Sequence, residues 1–512
     1  MKMKRIIYTI KVGIVAALTL ATATSCLEKY PGSAIQTEKS MKSYDDAVQI
    51  NTGIYALLKS SALYTGYLTL LPDVQTDLVY AVDGYSNQLG SFWLWQIRST
   101  TSESEAVYAN LYSVVSNCNF FLENIGVVKA NTIDDKQLSD LDYFTGEVYA
   151  IRALAFSELL KCYCKAYDPK TAKGELGVVL RTTYTDAQPL PRASLYDSYE
   201  QVLDDLERAE ELLDEDDNAY SSAFITLAAA YALHARVALY MQDWETAIDY
   251  STRLIESRDF ALSSATQYYT SSMTYFDYMW NYDVATEIIW RVGFTTTSYG
   301  GALGQIFLGF NNDYTYYYPD YVPAKWVLDL YSDSDMRYGS YFYTLPTGYA
   351  HGLQWPLLVK YFGNQDFINN SLIYHTVMPK PFRLAEQYLI RAEAYCRRES
   401  PNFSAATNDL VALRSTRFAS GGSISLSADN FIEQISAERV RELYMEGFRL
   451  HDLKRWGSLY RNGEGFTRAP QSHSLAEGSS LSIRADHPLF VWPIPIHEIE
   501  APGSLVQPNE SN

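Results

Sequence analysis

The chain has 512 residues, with 60 Asp and Glu against 41 Lys and Arg, a net charge of −19 and 43 tyrosines. So acidic a surface repels phosphate backbones and anionic lipid, which excludes nucleic-acid binding and any electrostatic hold on a membrane. A chain of this length buries a large core without disulfide staples.

The N-terminus reads as an export leader. Lys2, Lys4, Arg5 and Lys11 precede the apolar run from Val12 to Ala21, and Ala23-Thr24-Ser25 lead into Cys26. The run is shorter than the ~20 residues a membrane-spanning helix needs. Its order predicts lipid attachment at Cys26 and removal of residues 1–25; an ordinary secretory signal cut nearby is the competing reading. Losing the four basic residues takes the net charge to −23. Any membrane hold must then come from the lipid.

Most of the chain beyond Cys26 has helical periodicity. In the segment from Glu147 to Leu160, Val148, Ile151, Ala155 and Leu159 fall on one face. Ser194 opens a helix continued by Val202, Leu206, Ala209 and Leu213 and stopped by the acidic run from Asp214 to Asn218. An alanine-rich stretch from Ala223 to Tyr240 meets a partner helix at Asp243 after a very short turn, and Arg383–Arg397 with Ala405–Arg417 repeats the plan. Helix, short turn, helix with small residues at the contact is the plan of tetratricopeptide-like pairs. The expected fold is mainly α, built on such pairs. Cys118, Cys162, Cys164 and Cys396 read as small buried residues. Cys162 and Cys164, two apart on a helix, face different ways and share neither a metal nor a disulfide.

Two long segments break the pattern, Leu71–Ser102 and Ser263–Leu358, and long irregular segments in a compact helical protein tend to be functional. Tyrosine and tryptophan offer flat apolar faces with a polar edge, which match the C–H faces and hydroxyl rims of sugars. The expected ligand set is Asp77, Tyr80, Asn87, Trp93 and Trp95 from the first segment, with Asn311, Asn312, Tyr314, Tyr316, Tyr317 and Tyr318 from the second. Trp93 and Trp95 alternate as on a strand, so at most one is a sugar platform. The competing reading turns these tyrosines toward a protein partner, since interfaces also favour tyrosine. Trp280, Trp290, Trp326 and Trp456 lie in apolar periodic runs and are assigned to the core.

Glu438, Glu442 and Glu446 stack at spacing four, but arginines at three-residue spacings make a helix-surface ion-pair network the favoured reading over catalysis. The expected pairs are Glu438–Arg441, Glu446–Arg449, Arg449–Asp452 and Asp452–Arg455. The seven histidines show no metal spacing, and no HExxH, CxxC, phosphate-cradling loop or G-x-S-x-G elbow is present. No cofactor or catalytic residue is expected. Asp313 and Asp320 as ligands of a structural Ca²⁺ are the minority reading.

The chain resembles the SusD/RagB family of outer-membrane nutrient-binding lipoproteins from Cys26 to its C-terminus. The segments that carry this are Cys26-Leu-Glu-Lys-Tyr-Pro-Gly, Asn110 to Asn119, Glu147 to Phe156, Pro191-Arg192 with Tyr199 to Leu206, Leu384 to Ala394, Glu438 to Trp456, and Trp492-Pro-Ile-Pro495 with Glu498-Ile499. Surface-exposed members often carry several acids after the lipid cysteine; here Glu28 alone stands close, followed by Lys29. The resemblance implies a SusD-like domain over 26–512, with an N-terminal half to about 260 and a C-terminal half from about 261. It also implies a mainly α fold of four tetratricopeptide-like pairs with a loop-rich, short-strand ligand-binding face, a lipid-anchored place on the outer membrane facing outward, and oligosaccharide binding without catalysis. The implied partner is a SusC-like TonB-dependent transporter, over which such proteins close as a lid. A peptide ligand, or a scaffold for surface glycan-degrading enzymes, are the alternatives.

Overall fold

The computed structural model describes residues 41–186, 188–310, 315–348, 354–471 and 476–512; Cys26 and the leader lie outside them. Helices α1 (Tyr44–Leu57), α2 (Tyr67–Val74), α3 (Ser102–Asn131), α4 (Asp135–Tyr163), α5 (Leu195–Leu212), α6 (Leu227–Met241) and α7 (Trp244–Glu256) come first in the chain. After an irregular insert that contains α8 (Tyr275–Tyr282) come α9 (Leu384–Arg397), α10 (Phe403–Ser415), α11 (Phe431–Glu442) and α12 (Arg449–Trp456).

Short polar residues set the helix starts. Ser43, Asp134, Ser194, Thr226, Asp243 and Asn402 each accept a first-turn N–H at the head of α1, α4, α5, α6, α7 and α10. Gln242, at φ 64°, makes the two-residue turn from α6 into α7. Helices pack in sequence: α4 lies between α3 and α5, and α7 lies between α6 and α9, which also meets α10. Ala235, Ala238, Ala247 and Ala394 fill the α6–α7–α9 contact. The expected helix pairs are therefore present. The single apolar face read for α4 is too narrow, because its C-terminal half is enclosed on every side: Tyr149 alone between Thr145 and Tyr163 is not buried. The four cysteines are buried and unbridged.

The strands are short and form only two-stranded pairs among the described residues. β1 (Val79–Ala81) pairs antiparallel with β5 (Tyr321–Pro323), with Tyr80 opposite Val322. β2 (Tyr268–Thr270) pairs with β3 (Met273–Thr274), β4 (Ile288–Trp290) with β8 (Phe382–Arg383), β6 (Phe342–Thr344) with β7 (Pro356–Leu358), and β9 (Phe466–Arg468) with β10 (Leu481–Ile483).

The acidic helix α11 faces inward, not toward solvent. Glu442 is fully buried and accepts from Arg337 (3.0 Å), Arg383 (2.9 Å) and both sides of Arg417 (2.9 Å each). Glu438 takes Arg337 (2.8 Å), Arg414 (2.6 Å) and Arg441 (2.6 Å). The Glu438–Arg441 and Asp452–Arg455 pairs form as expected. Glu446–Arg449 does not, because α11 stops at Glu442 and the chain turns through Met445 and Gly447, both at positive φ. Glu446 instead meets Lys360 and Arg383, and Arg449 reaches Asp77.

These charges fix a pH profile. Arg455 and its neighbours offset burial and hold the Glu393 carboxyl at about 2, and arginines likewise hold Glu438 and Glu442 below the ordinary range. Their contribution is present above the unfolded carboxylate pKa and is lost as pH falls through the folded one. Asp73 and Glu147 behave oppositely: burial pushes both up to about 7. Their contribution is complete below the unfolded value and is lost as pH rises toward 7. Burial also lowers His375, to about 4, and His451, which opposes Asp73 and Glu147 between about pH 4 and 6.5, so stability should fall steeply in acid and change little from about pH 5 to neutral. Urea midpoints measured from pH 3 to 8 test this, and a midpoint that climbs steadily to pH 8 contradicts it.

Candidate functional site

The β1–β5 pair brings the two irregular segments to one face. After β1 the chain turns through Gly84, at φ 83°, into an exposed loop carrying Tyr85, Ser86 and Asn87. Ser86 donates its N–H (2.6 Å) and its hydroxyl (2.7 Å) to the two oxygens of Asp320. Asp320 sits just before β5 and just after the tyrosine run, so this clamp ties the Asn87 loop to the end of that run. Tyr85 donates to the Asn87 amide oxygen at 3.0 Å and packs edge-on against Tyr321 at 5.8 Å.

Within the tyrosine run, Tyr317 is the half-buried anchor. Its N–H donates to Pro346, its carbonyl accepts from Gly348, and its ring meets Phe310. Tyr316 and Tyr318, on either side, are 45 % and 41 % exposed. The Tyr318 ring lies over Gly348 so closely that a Cβ there would fall 2.2 Å from it. Alanine at position 348 would push the ring away. Trp355, half-buried, donates its indole N–H to Pro323 at 2.8 Å and so flanks the end of β5.

Four expected ligand residues lie beneath this face. Asp77 is buried, with both oxygens on the Arg449 guanidinium at 3.1 and 3.2 Å, so it is not open to a sugar hydroxyl. Tyr80 is buried, and its hydroxyl accepts from the Ala469 N–H at 2.9 Å. Trp93 and Trp95 do not alternate on a strand: Trp93 ends a one-turn helix, Gly90–Trp93, and Trp95 has a positive φ. Both are buried. Trp93 donates to the Glu477 carbonyl and carries the Arg468 guanidinium 3.5 Å above its ring, while Trp95 donates to the Gln75 carbonyl and packs on Phe466, His487 and Phe490. These side chains support the platform and do not line it. Asn311, Asn312 and Tyr314, with Asp313, lie outside the described residues.

Of the tryptophans assigned to the core, Trp280, Trp290 and Trp456 are buried. Trp326 is only half-buried, with its indole N–H on the Asp77 carbonyl. Tyr85, Gly348 and Trp355 join the face without being expected there. Their signal in the sequence is weak: an aromatic beside Gly84 or Pro356, in segments already read as irregular. A second exposed group is the tyrosine row at β2 and α8, where Tyr268, Tyr269 and Tyr275 are each about half exposed and Tyr278 stacks on Tyr282 at 4.7 Å. Chemically, the face presents rings and neutral hydrogen-bonding groups. The carboxylates of α11 are walled off by arginines and cannot reach a ligand held there.

Residues 269–511 match the family model described as the SusD family, and residues 27–239 match a SusD-like model described as "Starch-binding associating with outer membrane". The chain belongs to the SusD family. A SusD-like protein from Formosa agariphila is 23% identical over 501 residues, covering 87% of this chain and 91% of its own. A SusD superfamily protein from Bacteroides thetaiotaomicron superposes with a TM-score of 0.76 at 22% identity, covering 91% of this chain and 99% of that one. A SusD-like carbohydrate binding protein from Bacteroides vulgatus gives 0.72 at 21% identity, covering 90% and 96%. The SusD fold of those structures is thus the fold of this chain.

Proposed function

We propose that this SusD-family protein binds a glycan on the Tyr316–Tyr318 face and passes it to a SusC-like TonB-dependent transporter, without catalysing any step. The observation that carries the reading is the pair of half-exposed rings, Tyr316 and Tyr318, the second seated on Gly348, in a run that the Ser86–Asp320 clamp ties to the Asn87 loop. Rings held in place lose little freedom when a sugar stacks on them, so more of the contact energy appears as affinity. Asn87 offers an amide to the sugar rim. Membership of the SusD family and the starch-binding, outer-membrane character of the model matched by the N-terminal half support the glycan class and the outer membrane. Among the described residues no helix is long and apolar enough to cross a membrane. In this reading the hold on the membrane is a lipid at Cys26, and the protein faces outward.

Affinity electrophoresis and calorimetry against a panel of polysaccharides test it. Each stack is worth ~1 kcal/mol, so Tyr316→Ala with Tyr318→Ala should weaken binding by at least about tenfold with folding intact. No binding to any glycan would sink the proposal. Unchanged affinity in the double variant would move the site elsewhere, and sugar release by the purified protein would overturn its non-catalytic part.

A further inference from the structure

A second site lies on the helical side, away from the tyrosine face. Among the described residues, the buried carboxylates sit against Arg or Lys, with three exceptions. Asp73 accepts two backbone N–H groups, from Gly447 and Arg449, and Asp320 is held by Ser86. Glu147 has neither a cation nor a backbone donor among the described residues. It is 2 % exposed and accepts only from the Asn51 amide (2.7 Å) and the Tyr55 hydroxyl (2.9 Å).

Glu147 also lines an open groove of about 510 Å³ between α1, α4 and the loop before α6. Asn51 lines it too, is 4 % exposed, and its side-chain oxygen has no hydrogen-bond donor among the described residues. The walls carry Tyr143, Phe144 and Phe224, the last 53 % exposed. Asp140 and Asp217 line the groove beside them. Among the described residues no lysine or arginine lines it. The groove thus offers acceptors and ring faces with no cation of its own.

We propose that this groove binds a cationic nitrogen, an alkylammonium or guanidinium group, with Glu147 as its counter-ion, Asn51 Oδ1 as a further acceptor and Phe224 as the ring it lies against. Such a cation supplies what Glu147 lacks and donates to the unpartnered Asn51 oxygen, and ring faces attract cations. The carboxyl groups of Asp140, on α4 with Glu147, and of Asp217 also line the groove and add attraction, while Tyr55 and Tyr143 stay neutral. Because burial holds Glu147 up to about 7, the arriving cation should expel its proton. Binding below neutral pH is then coupled to proton release.

Calorimetry with n-butylammonium, with N-acetylarginine amide and with uncharged n-butanol tests this on the full chain. Both cations should bind and butanol should not. Repeating the titration at pH 6 in buffers of different ionisation enthalpy should reveal a proton released per cation bound. Glu147→Gln, isosteric and able to donate to Asn51, should weaken binding by about tenfold or more and abolish the proton release. Phe224→Ala, at an exposed position, should weaken it several-fold. Tighter binding of the arginine amide would assign the cation to a partner protein's side chain, and tighter binding of butylammonium to a small amine. Failure of both cations to bind at millimolar concentration overturns the proposal. So does equal binding, with unchanged proton release, in Glu147→Gln.

Discussion

Glu442→Ala should be among the most destabilising single changes available in this protein, on the order of 3–5 kcal/mol. The carboxylate sits among Arg337, Arg383 and Arg417, all buried, and Glu287 helps to balance the last two. These residues come from five separated places: the residue before β4, the segment before β6, the start of α9, the turn after α10 and the end of α11. Removing the carboxylate leaves guanidinium groups facing one another without the charge that offsets their desolvation. The insert and the C-terminal helices would lose their common tie. Glu442→Gln keeps the shape and some of the acceptor capacity, so it should cost less than alanine but still more than a typical surface change. Denaturant unfolding of the three proteins checks the order, and a wild-type midpoint in Glu442→Ala would show that the network contributes specificity and not stability.

The second large effect is expected at Arg468. This arginine is 1 % exposed and has no carboxylate partner among the described residues. It donates instead to the carbonyls of Val74, Gln75, Thr76, Trp93 and Gly478, and it stacks on Trp93. Burial lowers its pKa to about 9, although the Asp77 carboxylate nearby pulls it back up in part. Its role is to close the end of α2, where helix carbonyls have no partner within the helix and the dipole is negative. Methionine fills similar volume but leaves those carbonyls, apart from that of Gln75 which Trp95 still serves, without this donor, so Arg468→Met should cost several kcal/mol, at ~1–3 for each buried group left without a partner. Lysine should rescue little, since a point charge cannot span a planar fan of acceptors. Because Trp93 lies under the β1–β5 pair, the glycan affinity of any folded Arg468 variant should fall as well. Unfolding curves, tryptophan emission and glycan calorimetry on Met and Lys variants test both parts; lysine behaving like wild type would show that charge alone suffices.

The helix pairs are legible in the sequence because their signals are local. A Ser, Thr, Asp or Asn ahead of an apolar period marks a helix start, and the alanines of α6 and α7 announce close packing. The partners of the acidic stretch are legible only in part. Glu438–Arg441 and Asp452–Arg455 are neighbours along the chain and can be read from spacing, whereas Glu442 with Arg337 and Arg449 with Asp77 join distant segments. No periodicity encodes that. The tyrosine run is legible as a polar segment too rich in rings to bury them all, and Tyr316 and Tyr318 are exposed. Trp93, Trp95, Tyr80 and Asp77 depart from the expected exposure for a single reason: a segment irregular in sequence can still be buried when its polar groups find partners, and here Arg468 takes backbone carbonyls and Arg449 takes the Asp77 carboxylate.

The β1–β5 pair has a consequence for the order in which the protein matures. Its two strands come from opposite halves of the chain, and so do Ser86 and Asp320. Contacts of such long sequence separation form late, after the helix pairs that close locally. A chain threaded outward from its N-terminus would close its first helix pairs, α3 to α7, before the tyrosine run emerged. Under the proposed function, ligand capture would then wait on the joining of the two halves, so that half-made molecules would not compete for sugar.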